Sequence, residues 1–165
     1  MVLRIISGVV ALIAFFAYSS LFVVDERQKA LVLQFGQVKD VKEDPGLAFK
    51  LPFIQQVVKY DDRILSLDTR PLEVTPLDDR RLVVDAFARY RIVNVVQFRQ
   101  AVGTGGIVTA ESRLERILNA ALREVLGSVT SNAVLSTDRI ELMTRITDSA
   151  KIESKGLGIE IVDVR

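Results

Sequence analysis

The chain has 165 residues, 22 of them Lys or Arg and 21 Asp or Glu, with no histidine and no cysteine. That length holds a short anchor and one or two small domains, but not a large enzyme. Nearly cancelling charge leaves no field of one sign for nucleic acid. The missing histidine and cysteine remove the usual neutral-pH base, the Ser-His-Asp arrangement, thiol nucleophiles, disulfides and the commonest zinc ligands.

Residues 1–4 precede an uncharged apolar run over residues 5–24, IISGVVALIAFFAYSSLFVV. About 20 helical residues at about 1.5 Å each match the roughly 30 Å of a hydrocarbon core, which predicts a transmembrane helix here. Tyr18 suits the interface, while Arg4 and the Asp25-Glu26-Arg27 cluster close the two ends. A cleaved signal peptide is the alternative, with small residues around Tyr18, but the run exceeds the usual apolar length of such a leader. Flanking positive charge on both sides does not decide the orientation.

Beyond the anchor, residues 27–38 are rich in strand formers, and residues 39–43 read as a charged loop leading to the turn Asp44-Pro45-Gly46. Leu47, Phe49, Leu51 and Phe53 then alternate with Ala48, Lys50 and Pro52, an apolar edge in which Pro52 rules out a central strand. A returning strand is expected over residues 55–67.

The pattern of residues 72–92 predicts a hairpin with its turn at Pro76-Leu77-Asp78-Asp79 and a long second strand over residues 80–92. On that strand Leu82, Val84, Ala86, Ala88, Tyr90 and Ile92 share a face opposite Arg81, Asp85, Arg89 and Arg91. Val83 and Phe87 interrupt the wet face, as a contact would.

Asn94 caps an expected short helix over residues 95–102, followed by the loop Gly103-Thr104-Gly105-Gly106. Leu114, Ile117, Leu118, Ala121, Leu122 and Val125 then form a helical stripe ended by Gly127. Asp138 and Glu141 have capping-box spacing before a second helix through Leu142, Met143, Ile146 and Ala150 that Gly156 stops, and residues 157–165 read as a strand. Strands, then helices, then one strand make an α+β fold, expected as a β-rich subdomain over residues 25–93 and an α/β subdomain over residues 94–165. Ending at Arg165 in mid-strand, the chain reads as a piece of a longer protein.

Chemistry-bearing groups are sparse. The glycines at 103, 105 and 106 lack the Lys-Ser or Lys-Thr of a P-loop, and read as the flexible start of a helix. Asp61-Asp62 and Asp78-Asp79 are adjacent pairs whose side chains diverge on a strand, so they read as solvated charge, with no catalytic or metal role assigned. A Ser-Lys hydrolase needs no histidine, yet no spacing around Ser112, Ser128 or Ser136 favours a pair. No cofactor is expected. The segment around Leu51, Phe53 and Ile54 has two readings, an ordinary core or a loop dipping into the near leaflet of the membrane.

FVVDERQKALVLQFGQV, PGLAFKLPFI, DDRI and LGIEIVDVR, in that order after one N-terminal apolar run, resemble the SPFH or band 7 family of stomatins, prohibitins and flotillins. The resemblance covers nearly the whole chain. It implies a single-pass bacterial inner-membrane protein with its SPFH domain in the periplasm and no active site. It further implies a ring assembled with an HflK-like SPFH partner around an FtsH-like protease, with a long helix beyond the position of Arg165. A stomatin-like modulator of another membrane protein is the alternative within the same family.

Overall fold

A computed structural model describes residues 15–135 and 139–165 of the chain, which divides into two compact units, Met1–Asp62 and Arg63–Arg165. In the first unit residues 15–20 are helical (α1). The strands are β1 (Leu21–Val24), β2 (Gln28–Gln34), β3 (Gln37–Lys42), β4 (Gly46–Phe49) and β5 (Gln55–Asp61). β1 pairs antiparallel with β4, while β2 lies between β3 and β5, antiparallel to both. The heart of β2 is a continuous apolar run, Ala30-Leu31-Val32-Leu33, each no more than 2% exposed. Unbroken burial means that both faces of this strand are covered, so its sequence shows a run and no alternation.

Two expectations are corrected in this unit. The apolar run does not stay helical to Val24, since residues 21–24 form β1. Leu-Phe-Val-Val suits a strand as well as a helix by composition, and the apolar partner Gly46–Phe49 decides between them. The remainder of the expected anchor, residues 5–14, lies outside the described residues. Among the described residues no helix is long and apolar enough to cross a membrane.

The second correction concerns residues 39–43, read as a charged loop, most of which belong to strand β3. The turn comes earlier, at Phe35-Gly36, with φ of 51° and 82°. Both residues are left-handed, as in a type I′ hairpin, but Phe stands where Asn or Asp gives the usual signal. Lys42 reaches back along the strand to Asp40 at 2.8 Å, so the charges of β3 stand on an exposed strand.

The second unit contains β6 (Leu65–Asp68), β7 (Leu72–Val74), β8 (Leu82–Val84), β9 (Phe87–Ile92) and β10 (Ile159–Val164). Its helices are α2 (Val95–Val102), α3 (Gly106–Gly127), α4 (Ser131–Leu135) and α5 (Arg139–Ser154). β9 is central between β10 and β6, and β7 pairs with β8 as a separate ribbon. The division at Asp62 therefore falls well before the expected boundary near Asn94. The reason is non-local, because β9 closes its sheet with β10 at the far end of the chain.

The expected long strand over residues 80–92 is interrupted at Asp85 and Ala86. There Ala86 N donates to Thr69 Oγ1 at 2.9 Å and Thr69 N donates to the Ala86 carbonyl at 2.9 Å, handing the chain from the ribbon to the sheet. The alternation persists across the break, with Ala86, Ala88, Tyr90 and Ile92 all buried.

Asn94 caps α2 as expected, its Oδ1 accepting from Val96 N at 3.1 Å and Gln97 N at 3.0 Å. The stripe of α3 buries Leu114, Leu118, Ala121, Leu122 and Val125, with Ile117 only half-buried and Leu126 added to the core. On α5, Leu142, Ile146 and Ala150 are buried against it. The capping position Asp138 lies outside the described residues. Gly158 adopts φ of 69°, and a Cβ there would stand 2.5 Å from the Asn94 carbonyl oxygen, so glycine alone fits this turn before β10.

Candidate membrane-contact surface

In the first unit the β1–β4 ribbon sets Leu21 opposite Phe49 and Val23 opposite Leu47. Directly opposed residues share a face of the pair, and all four of these are more than half exposed. The ribbon thus carries an uncovered apolar face, whereas Val24, one step out of phase, is buried. Lys59 Nζ donates to the Val23 carbonyl at 2.8 Å, tying β1 to β5.

The ribbon continues into a rigid turn. Lys50 N donates to the Ser20 carbonyl at 2.8 Å, and Ser20 Oγ donates to the Phe16 carbonyl at 2.8 Å at the end of α1. Gln55 clamps the turn from both sides: its Oε1 accepts from Leu51 N at 2.7 Å, and its own N donates to the Leu51 carbonyl at 3.0 Å. Inside that clamp Phe53 is left-handed, φ 68°, and 84% exposed. Leu51 and Ile54 are each nearly half exposed. The Phe53 ring meets Phe16 of α1 edge-on, centroids 5.9 Å apart.

Leu51, Phe53 and Ile54 therefore stand together on one exposed turn rather than in the core. A bulky left-handed residue costs backbone energy, and such strain persists where surrounding bonds over-determine it, as the Gln55 clamp does. Hydropathy alone assigns the ribbon residues Leu21 and Val23 to the expected anchor and not to this surface. Their alternation with Phe22 and Val24 is the signal that was available.

The other candidate groups are engaged in local contacts of their own. Asp62 pairs with Lys29 at 3.1 Å. Asp78 accepts from Ser131 N at 3.1 Å and from the Ser131 hydroxyl, and these bonds hold its carboxyl below the usual range. Asp79 occupies the turn at φ 57°. Among the described residues no group of three or more His, Cys, Asp or Glu is placed to hold a metal ion.

Gly103–Gly105 forms a single 3₁₀ turn whose Gly103 carbonyl accepts from the Arg99 guanidinium at 2.6 Å. Ser112 is exposed on α3, Ser128 donates its hydroxyl to the Val125 carbonyl at 2.7 Å, and Ser136 lies outside the described residues. In the second unit, Tyr90 donates to Glu111 Oε1 at 3.1 Å, and burial, then the neighbouring carboxylate, push the phenol upward.

Strands followed by helices and a closing strand define an α+β chain with a mixed strand–helix domain after its apolar lead. The chain belongs to the SPFH domain / Band 7 family, whose model matches residues 22–165. It is similar to protein HflC of Haemophilus influenzae, 33% identical over 98% of this chain and 58% of that protein. It is also similar to protein HflC of Buchnera aphidicola, 31% identical over 89% of this chain and 54% of the relative. The modulator of FtsH protease HflC of Escherichia coli K12 is 29% identical over 93% of this chain and 48% of that protein. The chain thus spans about half the length of these curated relatives.

Proposed function

We propose that the protein is a non-enzymatic membrane scaffold that regulates an FtsH-like membrane protease, assembling in a ring with an HflK-like SPFH partner. The observation that carries this reading is the likeness to a modulator of FtsH protease over 93% of the chain. A single-pass inner-membrane placement, with the SPFH domain in the periplasm, accompanies it. The uncharged apolar sequence of residues 5–20, which runs directly into the apolar and uncovered ribbon of β1 and β4, supports the membrane part.

The turn bearing Leu51, Phe53 and Ile54 is a second membrane contact in this reading. Apolar side chains projecting from a rigid turn beside the helix enter the headgroup–acyl boundary, and each fully buried one contributes about 1.5–3 kcal/mol. Mild detergent extraction of the full-length protein, with affinity capture and mass spectrometry, tests the assembly. Recovery of an SPFH partner and an FtsH-like protease is the expected result, and absence of both overturns the reading.

A further inference from the structure

In the second unit β10 is paired with β9 along one edge, and among the described residues no strand lies along the other. A free edge presents main-chain N–H and C=O groups that an added strand can complete. Two cavities of about 490 and 480 Å³ open between this strand and α5, and Lys151 lines both. One reaches Ile159 and Glu160, the other Asp163 and Val164. Ile159 and Val164 are buried while Glu160 is exposed, so the cavities touch both faces of β10 and therefore lie at its edge. Between them the register shifts at Val162. Such a bulge stops a long flat partner and leaves two short stretches for pairing.

The opposite wall of the cleft is helical. Leu142, Ile146 and Ala150 of α5 are spent on the core, and one position further round Met143 and Thr147 face the cleft beside Ile140, which is 79% exposed. The Thr144 and Thr147 hydroxyls donate to the Ile140 and Met143 carbonyls at 3.0 and 2.7 Å, so their hydrogens are already committed. Beyond the other end of α5, Gln97 Nε2 donates to the Lys155 carbonyl at 2.9 Å and ties this wall to α2.

Charge narrows the occupant. Glu160 pairs with Arg91 at 3.4 Å and Asp163 with Arg89 at 2.6 Å, whereas Arg139, Lys151 and Lys155 form no ion pair among the described residues. Asp148 is the one unpaired acid of the cleft set against those three cations.

We infer that the cleft between α5 and the free edge of β10 takes a short extended segment of a partner protein, apolar where it meets Ile140 and Met143 and acidic where it passes Lys151 and Lys155. The segment adds a strand to β10, and about six residues at roughly 3.3 Å each match that strand. A second copy offering its own β10 is a poorer occupant, because its acids are already held by Arg89 and Arg91 and leave the cations of α5 unmatched. This inference stands apart from the membrane reading above.

Fluorescence anisotropy with the full-length protein in mild detergent tests it. The probe is a fluorescein-labelled hexapeptide of alternating Glu and Val, compared with a peptide carrying Lys for Glu and with one methylated at every amide nitrogen. Saturable binding of the probe is expected, with each comparison peptide at least about tenfold weaker. Lys151→Glu combined with Lys155→Glu is expected to weaken the probe about tenfold, and Ile140→Ser, at an exposed position, about threefold. Thermal melts verify that the variants fold. No saturable binding, or equal affinity for the Lys peptide, overturns the inference. Undiminished binding of the methylated peptide overturns strand addition and the inference with it. Val162→Cys gives the chain a single cysteine, and a disulfide-linked dimer that the probe does not suppress assigns the edge to a second copy, which also overturns it.

Discussion

Arg89 and Asp163 face each other in the register of β9 and β10, joined by bonds of 2.6 and 2.7 Å. The hydrogen bonds from Arg89 hold the Asp163 carboxyl below the ordinary carboxylate range. A depressed folded value stabilises the fold above the unfolded pKa, about 4, and that stabilisation is lost as pH falls through the folded value. Asp163→Asn is therefore expected to lower Tm at pH 7, with the gap to the parent narrowing below about pH 4. Thermal melts followed by circular dichroism across that range check it, and a constant gap would show that the charge is immaterial. Phe35→Asn is expected to act in the opposite direction, raising stability by about 1 kcal/mol, because the left-handed penalty for a bulky residue falls. A Tm that drops would mean the ring has a folding role. The turn itself was hidden in the sequence, since Phe-Gly is a poor I′ signal and only the backbone angles reveal it.

Among the elements, α3 was the most legible, because six apolar residues at helical spacing admit one reading. Packing follows from that stripe: Leu118 is fully buried, so Leu118→Ala is expected to cost about 2–5 kcal/mol through lost transfer energy and the cavity left behind. Chemical denaturation with an unchanged slope is the measurement, and a loss below about 1 kcal/mol would mean that the site collapses freely. Strands were less legible. The boundary between anchor and domain was misplaced at Val24, because hydropathy does not separate a membrane helix from an apolar edge strand until the partner strand is known. The 51–54 turn was found by its prolines and alternation, but the sequence does not encode its exposure. That depends on Gln55 clamping Leu51 from both sides.

For the whole molecule, the family and α+β class were legible because their motifs run in order along the chain, whereas the division at Asp62 depends on β10 returning to β9. On the proposed periplasmic placement an alkaline phosphatase fused after Arg165 is expected to be active in a bacterial host, and an inactive fusion with an active cytoplasmic reporter at the same site would reverse the topology. The junction at Ser20 bears on mechanics as well. Helix α1 ends, β1 begins at Leu21, and the Ser20 carbonyl is already bonded to Lys50, leaving no slack between them. A rod joined to a plate without a swivel transmits torque. If α1 sits in a bilayer, thickening or thinning that tilts α1 will turn the β1–β4 ribbon with it, and lipid thickness becomes a quantity to which this protein can respond.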